Sequence, residues 1–171
     1  DSLFAISIFK AFMSSPFAAR ESIIRRIEKI SSRTQDDETQ GTDLSTLQEL
    51  KTKLDAILGN QSDSKYKKLR EKLLMLGWTG RTHDDRFVIF AERIDTLEYL
   101  RDNLVSDFNL QEGTYQFFHG GLTDVEQQEI IEDFGKEDSK VRVLLCSDAG
   151  SQGVNLHFFC NRMFNYDIPW S

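Results

Sequence analysis

Short apolar runs alternate with helical segments from residue 86 onward, and this alternation constrains the fold more than any other feature. Apolar residues recur at helical spacing within residues 92–104 and 123–134. A parallel strand connection needs a crossover, so this alternation predicts an α/β fold with a parallel sheet and flanking helices. Four runs carry the strand prediction: RFVIF (86–90), YQFFH (115–119), VRVLLC (141–146) and RMFNYD (162–167).

Before residue 86 the chain shows only helical patterns. SSP at 14–16 is typical of a helix start, because Ser caps a helix and Pro is tolerated at its first position. Residues 31–43 are polar and acidic without a period, which favours a loop or linker, and amphipathic helices are predicted at 44–58 and 64–76. We therefore predict three parts: a helical segment (1–30), an acidic linker with an amphipathic helix (31–62), and an α/β lobe (63–171) that is incomplete at its C-terminal end.

Charge and composition narrow the function classes. The net charge of −7 argues against strong nucleic-acid binding by this chain alone, because phosphate contacts need basic side chains. Cys146 and Cys160 are expected to be reduced core thiols in a reducing compartment, and the histidines have no metal-ligand spacing, so no metal site is predicted. No run approaches the roughly 20 apolar residues that span a bilayer. The missing initiator Met suggests an excised piece of a longer protein.

Ligands of open α/β sheets bind beyond the carboxyl ends of the strands. The loop after the third strand is the richest of these places, because Gly150 and Gly153 allow a ligand to approach the main chain. Asn155 adds a donor and an acceptor. The alternative is an ordinary strand-to-helix turn that needs glycine for its geometry, and the loop taken alone favours neither.

The other strand ends are more ambiguous. HGGLT at 119–123 could present backbone N–H groups to a phosphate, but a tight helix entry capped by Thr123 is favoured. His119 is interpreted as a packed or hydrogen-bonded residue rather than a catalyst. Asp167 could form a turn or make a polar contact across a cleft, and the sequence does not decide between these.

Several stretches in order resemble a known family. VLLCSDAGSQGVNL (143–156) resembles motif V of superfamily-two helicases, and RFVIFAERIDTLEYL (86–100) resembles the strand and helix of motif IV. NRMFNYDIPWS (161–171) resembles the strand that leads into motif VI. Together they resemble the second RecA-like lobe, the helicase C-terminal domain, of Swi/Snf-type ATPases and specifically of bacterial RapA-like helicases. The resemblance covers residues 63–171 well and the first 30 moderately.

The resemblance implies a motor lobe that works with ATP and Mg²⁺ on duplex DNA, together with an N-terminal RecA-like lobe of the same parent chain. It implies no catalytic residue in this lobe, a bacterial cytoplasmic, nucleoid-associated location, and RNA polymerase as a candidate partner. By match, the nucleotide-binding or coupling residues are Gly150, Gln152, Gly153 and Asn155. The residues that would face nucleic acid are His119, Gly120, Gly121, Ser147 and Asp148.

Some parts of such an enzyme are missing from the sequence. No phosphate-binding G-x-x-x-x-G-K-[ST] segment occurs, nor does an acidic box after an apolar strand. The arginine-bearing motif VI does not occur either. The chain by itself is therefore not expected to hydrolyse ATP. Two alternatives stay open: a non-catalytic RecA-like scaffold or protein-interaction module, and an unrelated nucleotide-binding α/β domain.

Overall fold

The computed structural model describes residues 2–32, 38–82, 85–147, 160 and 162–167. Six helices and four strands follow one another in these ranges. They are α1 (Ser2–Ser14), α2 (Pro16–Ser31), α3 (Glu38–Gly59), α4 (Ser64–Met75), β1 (Phe87–Ala91), α5 (Ile94–Phe108), β2 (Tyr115–Phe118), α6 (Asp124–Gly135), β3 (Val143–Ser147) and β4 (Met163–Asn165). The chain divides into two compact units, residues 1–68 and 69–171, so the boundary falls within α4.

The second unit is built on a four-stranded parallel sheet with the strand order β2-β3-β1-β4. β1 pairs with β3 from Phe87 opposite Val143 to Ala91 opposite Ser147. Every residue of β3 is buried, which explains why its sequence is a continuous apolar run instead of an alternating one. The predicted α/β class and its parallel sheet are confirmed.

Side chains pack on both faces of the sheet. On one face Val88, Leu144 and Phe118 form a buried cluster with Phe134 of α6. On the other, the ring of Trp78 meets Phe87 edge to face at 4.9 Å and Phe108 at 4.8 Å. The Trp78 indole N–H also donates to the Asp85 carbonyl at 2.8 Å, so its polar atom is satisfied while the ring is buried.

Arg86 connects the start of β1 to the end of α6. Its side chain is buried, and Nη1 donates to the Phe134 carbonyl at 2.6 Å. Nη2 donates to the carbonyls of Lys136 and Glu137 at 2.5 and 3.2 Å. These carbonyls lie at and beyond the last turn of α6, where no helical N–H is available to them, so one guanidinium both caps the helix and holds it to the sheet.

The first unit consists of α1, α2, α3 and the first residues of α4. Ser15 caps α2 as predicted, since its hydroxyl accepts from the Ala18 N–H at 3.0 Å and Pro16 occupies the first helical position. Asp55 of α3 accepts from Arg20 Nε at 2.5 Å and from Lys51 Nζ at 2.7 Å, and these two bonds lower the pKa of its carboxyl. An apolar groove of about 580 Å³ lies between α1, α2 and α3.

The start of α3 differs from the sequence prediction. The helix begins at Glu38, whereas residues up to 43 lacked an apolar period and were expected to form a loop. Once an amphipathic segment has formed a helix, each further turn needs only propagation, which is far more favourable than nucleation. The three-part domain division stays a prediction. Among the described helices, none is long and apolar enough to cross a membrane.

Replacing Arg86 with Met should destabilise the second unit by about 2–4 kcal/mol, because three carbonyls lose a charged donor. Urea unfolding followed by tryptophan fluorescence measures this change. The control is Arg101→Met, which removes a partly exposed Arg101–Asp102 pair of 2.7 Å and should cost less than about 1 kcal/mol. Equal losses in the two variants would contradict the structural role of Arg86.

Candidate functional site at the carboxyl edge of the sheet

The carboxyl ends of the four parallel strands meet at one edge of the sheet. Ser147 ends β3, and His119, Gly120 and Gly121 follow β2 directly. These four of the predicted site residues therefore lie on the edge where ligands of α/β sheets bind. The other predicted residues lie outside the described part of the chain: Asp148, Gly150, Gln152, Gly153 and Asn155.

Asp167 ties the end of β4 to the end of β1. Its side chain is buried, and Oδ2 accepts from the Glu92 backbone N–H at 2.9 Å. One residue earlier, the Tyr166 N–H donates to the Phe90 carbonyl at 2.8 Å. Of the two roles that the sequence left open for Asp167, this is a polar contact between chain segments, and its ionised acceptor makes the bond stronger than a neutral one.

Ser147 fixes the place where the chain leaves the sheet. It is only 4 % exposed and stands opposite Ala91 in the β1–β3 register. Both strands are buried at this point, so the chain leaves β3 at Ser147 from a paired strand end. A segment that begins on a fixed strand end can present its backbone to a ligand with little loss of conformational entropy.

The turn after β2 is closed by its own hydrogen bonds. The Gly121 N–H donates to His119 Nδ1 at 3.1 Å, and the Leu122 N–H donates to the His119 carbonyl at the same distance. The Thr123 N–H donates to Glu126 Oε2 at 2.7 Å, while Thr123 Oγ1 accepts from the Glu126 N–H in the predicted capping box. Three N–H groups of this turn are thus already used, which supports the helix-entry interpretation over a phosphate cradle.

Gly121 lies in close contact with the imidazole ring of His119. A Cβ on Gly121 would lie 3.0 Å from His119 Nδ1 and 3.2 Å from Cε1, which is closer than ordinary contact. Since Nδ1 accepts a hydrogen bond, neutral His119 carries its proton on Nε2. The hydrogen bond from the Thr123 backbone N–H lowers the pKa of Glu126, and the bond from the Thr123 side chain contributes in the same direction.

The cysteines and the possible metal ligands among the described residues are candidate reactive groups. Cys146 and Cys160 are buried, and burial raises the pKa of both thiols, so neither is a thiolate near neutral pH. Within residues 2–32, 38–82, 85–147, 160 and 162–167, no group of three or more His, Cys, Asp or Glu side chains could hold a metal ion.

Two features of this edge were missed by sequence reasoning. The Asp167–Glu92 bond joins residues 75 positions apart, and its only sequence signal is an acidic residue two positions after a short strand. The contact between Gly121 and the His119 ring leaves no signal beyond a pair of glycines.

Replacing Asp167 with Ala should raise the exchange rate of the Glu92 amide about tenfold or more, since a hydrogen bond to a charged acceptor contributes roughly 1.5–3 kcal/mol. Hydrogen exchange followed by NMR measures it. The Phe87 amide, which donates to Arg142 O at 3.0 Å at the other end of β1, serves as the internal control and should keep its rate. An unchanged Glu92 rate would show that the bond does not restrain this edge.

Gly121→Ala should displace the His119 ring by a few tenths of an ångström and weaken the bond to Nδ1, because the new methyl group occupies the present contact. The ¹⁵N chemical shifts of the imidazole report that bond. Gly59→Ala is the matched control, since nothing lies within 4 Å of a Cβ there. Identical imidazole shifts in Gly121→Ala and the unaltered chain would contradict the close contact.

Comparison with known proteins agrees with this architecture. The profile of the helicase conserved C-terminal domain matches residues 64–171. The uncharacterized ATP-dependent helicase YqhH of Bacillus subtilis is 36 % identical over 89 residues, which is 52 % of this chain and 14 % of that protein. The RNA polymerase-associated protein RapA of Vibrio campbellii is 27 % identical over 111 residues, 65 % of this chain and 10 % of that protein.

Two solved structures are similar to this chain, and the first supports the fold. The Hef helicase domain of Pyrococcus furiosus aligns over 87 % of this chain and 30 % of that chain, with a TM-score of 0.55 and 16 % identity. The C-terminal domain of a Sulfolobus solfataricus SWI2/SNF2 ATPase aligns over 89 % and 66 %, with a TM-score of 0.44 and 22 % identity. The chain spans about a tenth to a seventh of the length of the two relatives named above. The chain belongs to the helicase conserved C-terminal domain family, as a second RecA-like lobe of the superfamily-two, Snf2 type.

Proposed function

We propose that this chain acts as the C-terminal motor lobe of an ATP-dependent translocase that moves on duplex DNA. The observation that carries the proposal is the carboxyl edge, where the Asp167–Glu92 bond holds the ends of β4 and β1 beside Ser147. A motor lobe needs such an edge, because its loops must keep one geometry while they contact nucleotide and nucleic acid together.

The nucleotide side of the proposal concerns the loop that follows Ser147. Gly150, Gln152, Gly153 and Asn155 are the proposed nucleotide-binding or coupling residues, by their match to motif V. The described residues do not fit Mg²⁺, since they contain no group of carboxylates that could hold a metal ion. The sequence also lacks a phosphate-binding G-x-x-x-x-G-K-[ST] segment. Binding of the ATP phosphates and of Mg²⁺ is therefore assigned to the N-terminal RecA-like lobe of the same protein.

The nucleic-acid side is proposed to include His119, Gly120 and Gly121 with Ser147 and Asp148. The turn at 119–121 lies on the same edge as Ser147, and its geometry is fixed by the bonds of His119. With a net charge of −7, this chain alone binds duplex DNA weakly, so the partner lobe supplies much of the phosphate contact. This division of labour also explains why the isolated chain is proposed to be inactive as an ATPase.

The wider setting rests on the relatives. RapA of Vibrio campbellii is named an RNA polymerase-associated protein, and we extend this to RNA polymerase as a candidate partner of the protein that carries this lobe. The proposed location is the bacterial cytoplasm, with the nucleoid. The two cysteines are buried and form no disulfide with each other, which is compatible with a reducing compartment.

The proposal is tested by ATP hydrolysis of the full-length protein with and without duplex DNA. Gly153→Ala should reduce the stimulation by duplex by about 5–150-fold, the usual range of coupling between two sites, because the new methyl group obstructs backbone contact. Single-stranded DNA and duplex RNA in parallel assays decide which nucleic acid is the substrate.

Gly59→Ala is the control variant for this assay, since the residue lies at the end of α3 in open space and its change should leave stimulation intact. Urea unfolding of both variants excludes loss of fold as the cause. Stimulation that survives Gly153→Ala in a folded protein would remove the loop from the coupling path. Absence of turnover with every nucleic acid would favour the alternative, a non-catalytic RecA-like scaffold.

A further inference from the structure

A second concave site lies at the opposite edge of the sheet, where the strands begin. Three segments surround it: residues 79–81 after α4, residues 109–114 before β2, and residues 140–142 before β3. The pocket has a volume of about 500 Å³, within the usual range of small-ligand sites. It does not belong to the carboxyl edge, and no step of the proposed motor function uses it.

Most of the charged side chains that line the pocket are basic. Arg81, Lys140 and Arg142 line it, and Glu112 is the acidic residue among its lining side chains. Arg81 and Lys140 are exposed, and neither forms an ion pair with any residue that the structure describes. The pocket therefore carries an excess of positive charge in a chain whose net charge is −7.

Arg142 is held in place but keeps free donors. Its Nη1 donates to the carbonyls of Ser139 at 2.6 Å and Val141 at 3.1 Å, which fixes the plane of the guanidinium. No hydrogen bond to a described residue uses its Nε or Nη2. Partial burial and the like charge of Arg86 lower its pKa, and Asp85 offsets this only in part. The fixed guanidinium plane, together with the two nitrogens Nε and Nη2, forms a preoriented two-donor fork of the kind that recognises phosphate.

The pocket wall is rigid next to these cations. Gly80 has a φ of +69°, and a Cβ there would lie 2.5 Å from Leu110 Cδ2 and 3.0 Å from the Trp78 ring. Leu110 and Trp78 are both buried, so Arg81 directly follows a tightly packed turn at Gly80. On the facing side, the Thr114 carbonyl accepts from the Arg142 and Val143 N–H groups at 2.7 and 3.1 Å. The loops that carry the cations are therefore positioned before a ligand arrives.

We propose that this pocket binds a phosphate group, with Arg142 as the oriented fork and Arg81 and Lys140 as flanking charges. Its concave shape and limited volume favour a small oligophosphate as the ligand. A DNA duplex would need a longer and more open binding surface. Glu112 restricts which ligands fit, because its carboxylate repels an anionic group that extends towards it. The same carboxylate can accept a hydrogen bond from a donor group on the ligand.

Calorimetric titration of the chain at low salt tests the proposal, with inorganic phosphate, tripolyphosphate and a short DNA duplex as three separate probes. Tripolyphosphate should bind saturably, and Arg81→Gln with Lys140→Gln should weaken it at least about tenfold, since hydrogen bonds from charged donors are the strong ones. Both side chains are exposed, so the thermal unfolding of the variant should not change.

The control double variant is Lys68→Gln with Lys72→Gln, which removes the same charge from exposed positions of α4 outside the pocket. Equal weakening in this control, or no saturable binding of any probe, would overturn the site. Duplex binding that depends on Arg81 and Lys140, without binding of the free phosphates, supports phosphate recognition and assigns it to a nucleic-acid backbone. The titration needs no ATPase activity, so its failure and that of the proposed motor function are separate results.

Discussion

The parallel pairing of β1 with both β3 and β4 is the constraint on which the rest of this structure depends. A central strand with parallel neighbours on both sides must be buried on both faces, and its backbone groups must be bonded on both sides. That requirement explains the apolar sequence of β1 and the position of Trp78 against Phe87. It also collects the carboxyl ends of all four strands at a single edge, where the candidate site lies.

Two charged side chains hold this sheet at its opposite ends. At the amino end of β1, Arg86 donates to carbonyls at the end of α6, and at the carboxyl end Asp167 accepts from the Glu92 N–H. Both are buried and both form hydrogen bonds to backbone groups, so fixed backbone dipoles stabilise the two charges.

The two edges differ in how their polar groups are used. At the carboxyl edge, the N–H groups of Gly121 and Thr123 in the turn after β2 already donate to the side chains of His119 and Glu126. At the amino edge Arg142 keeps donors and Arg81 and Lys140 lack described ion-pair partners. The structure thus separates a positioning edge from an edge with free positive charge.

The sequence by itself determined the strand and helix order of the second unit, the capping box of α6 and the cap of α2, because periodicity and capping depend on residues within one or two turns. It also supplied the motifs that point to a helicase lobe. Only the tertiary structure decided the roles of Arg86 and Asp167, whose hydrogen bonds join residues 48 and 75 positions apart. It likewise decided that Arg81 and Arg142 share one pocket. The physical reason is that such contacts form between loops brought together by the folded sheet, and no local pattern encodes which distant backbone group a charged side chain will meet.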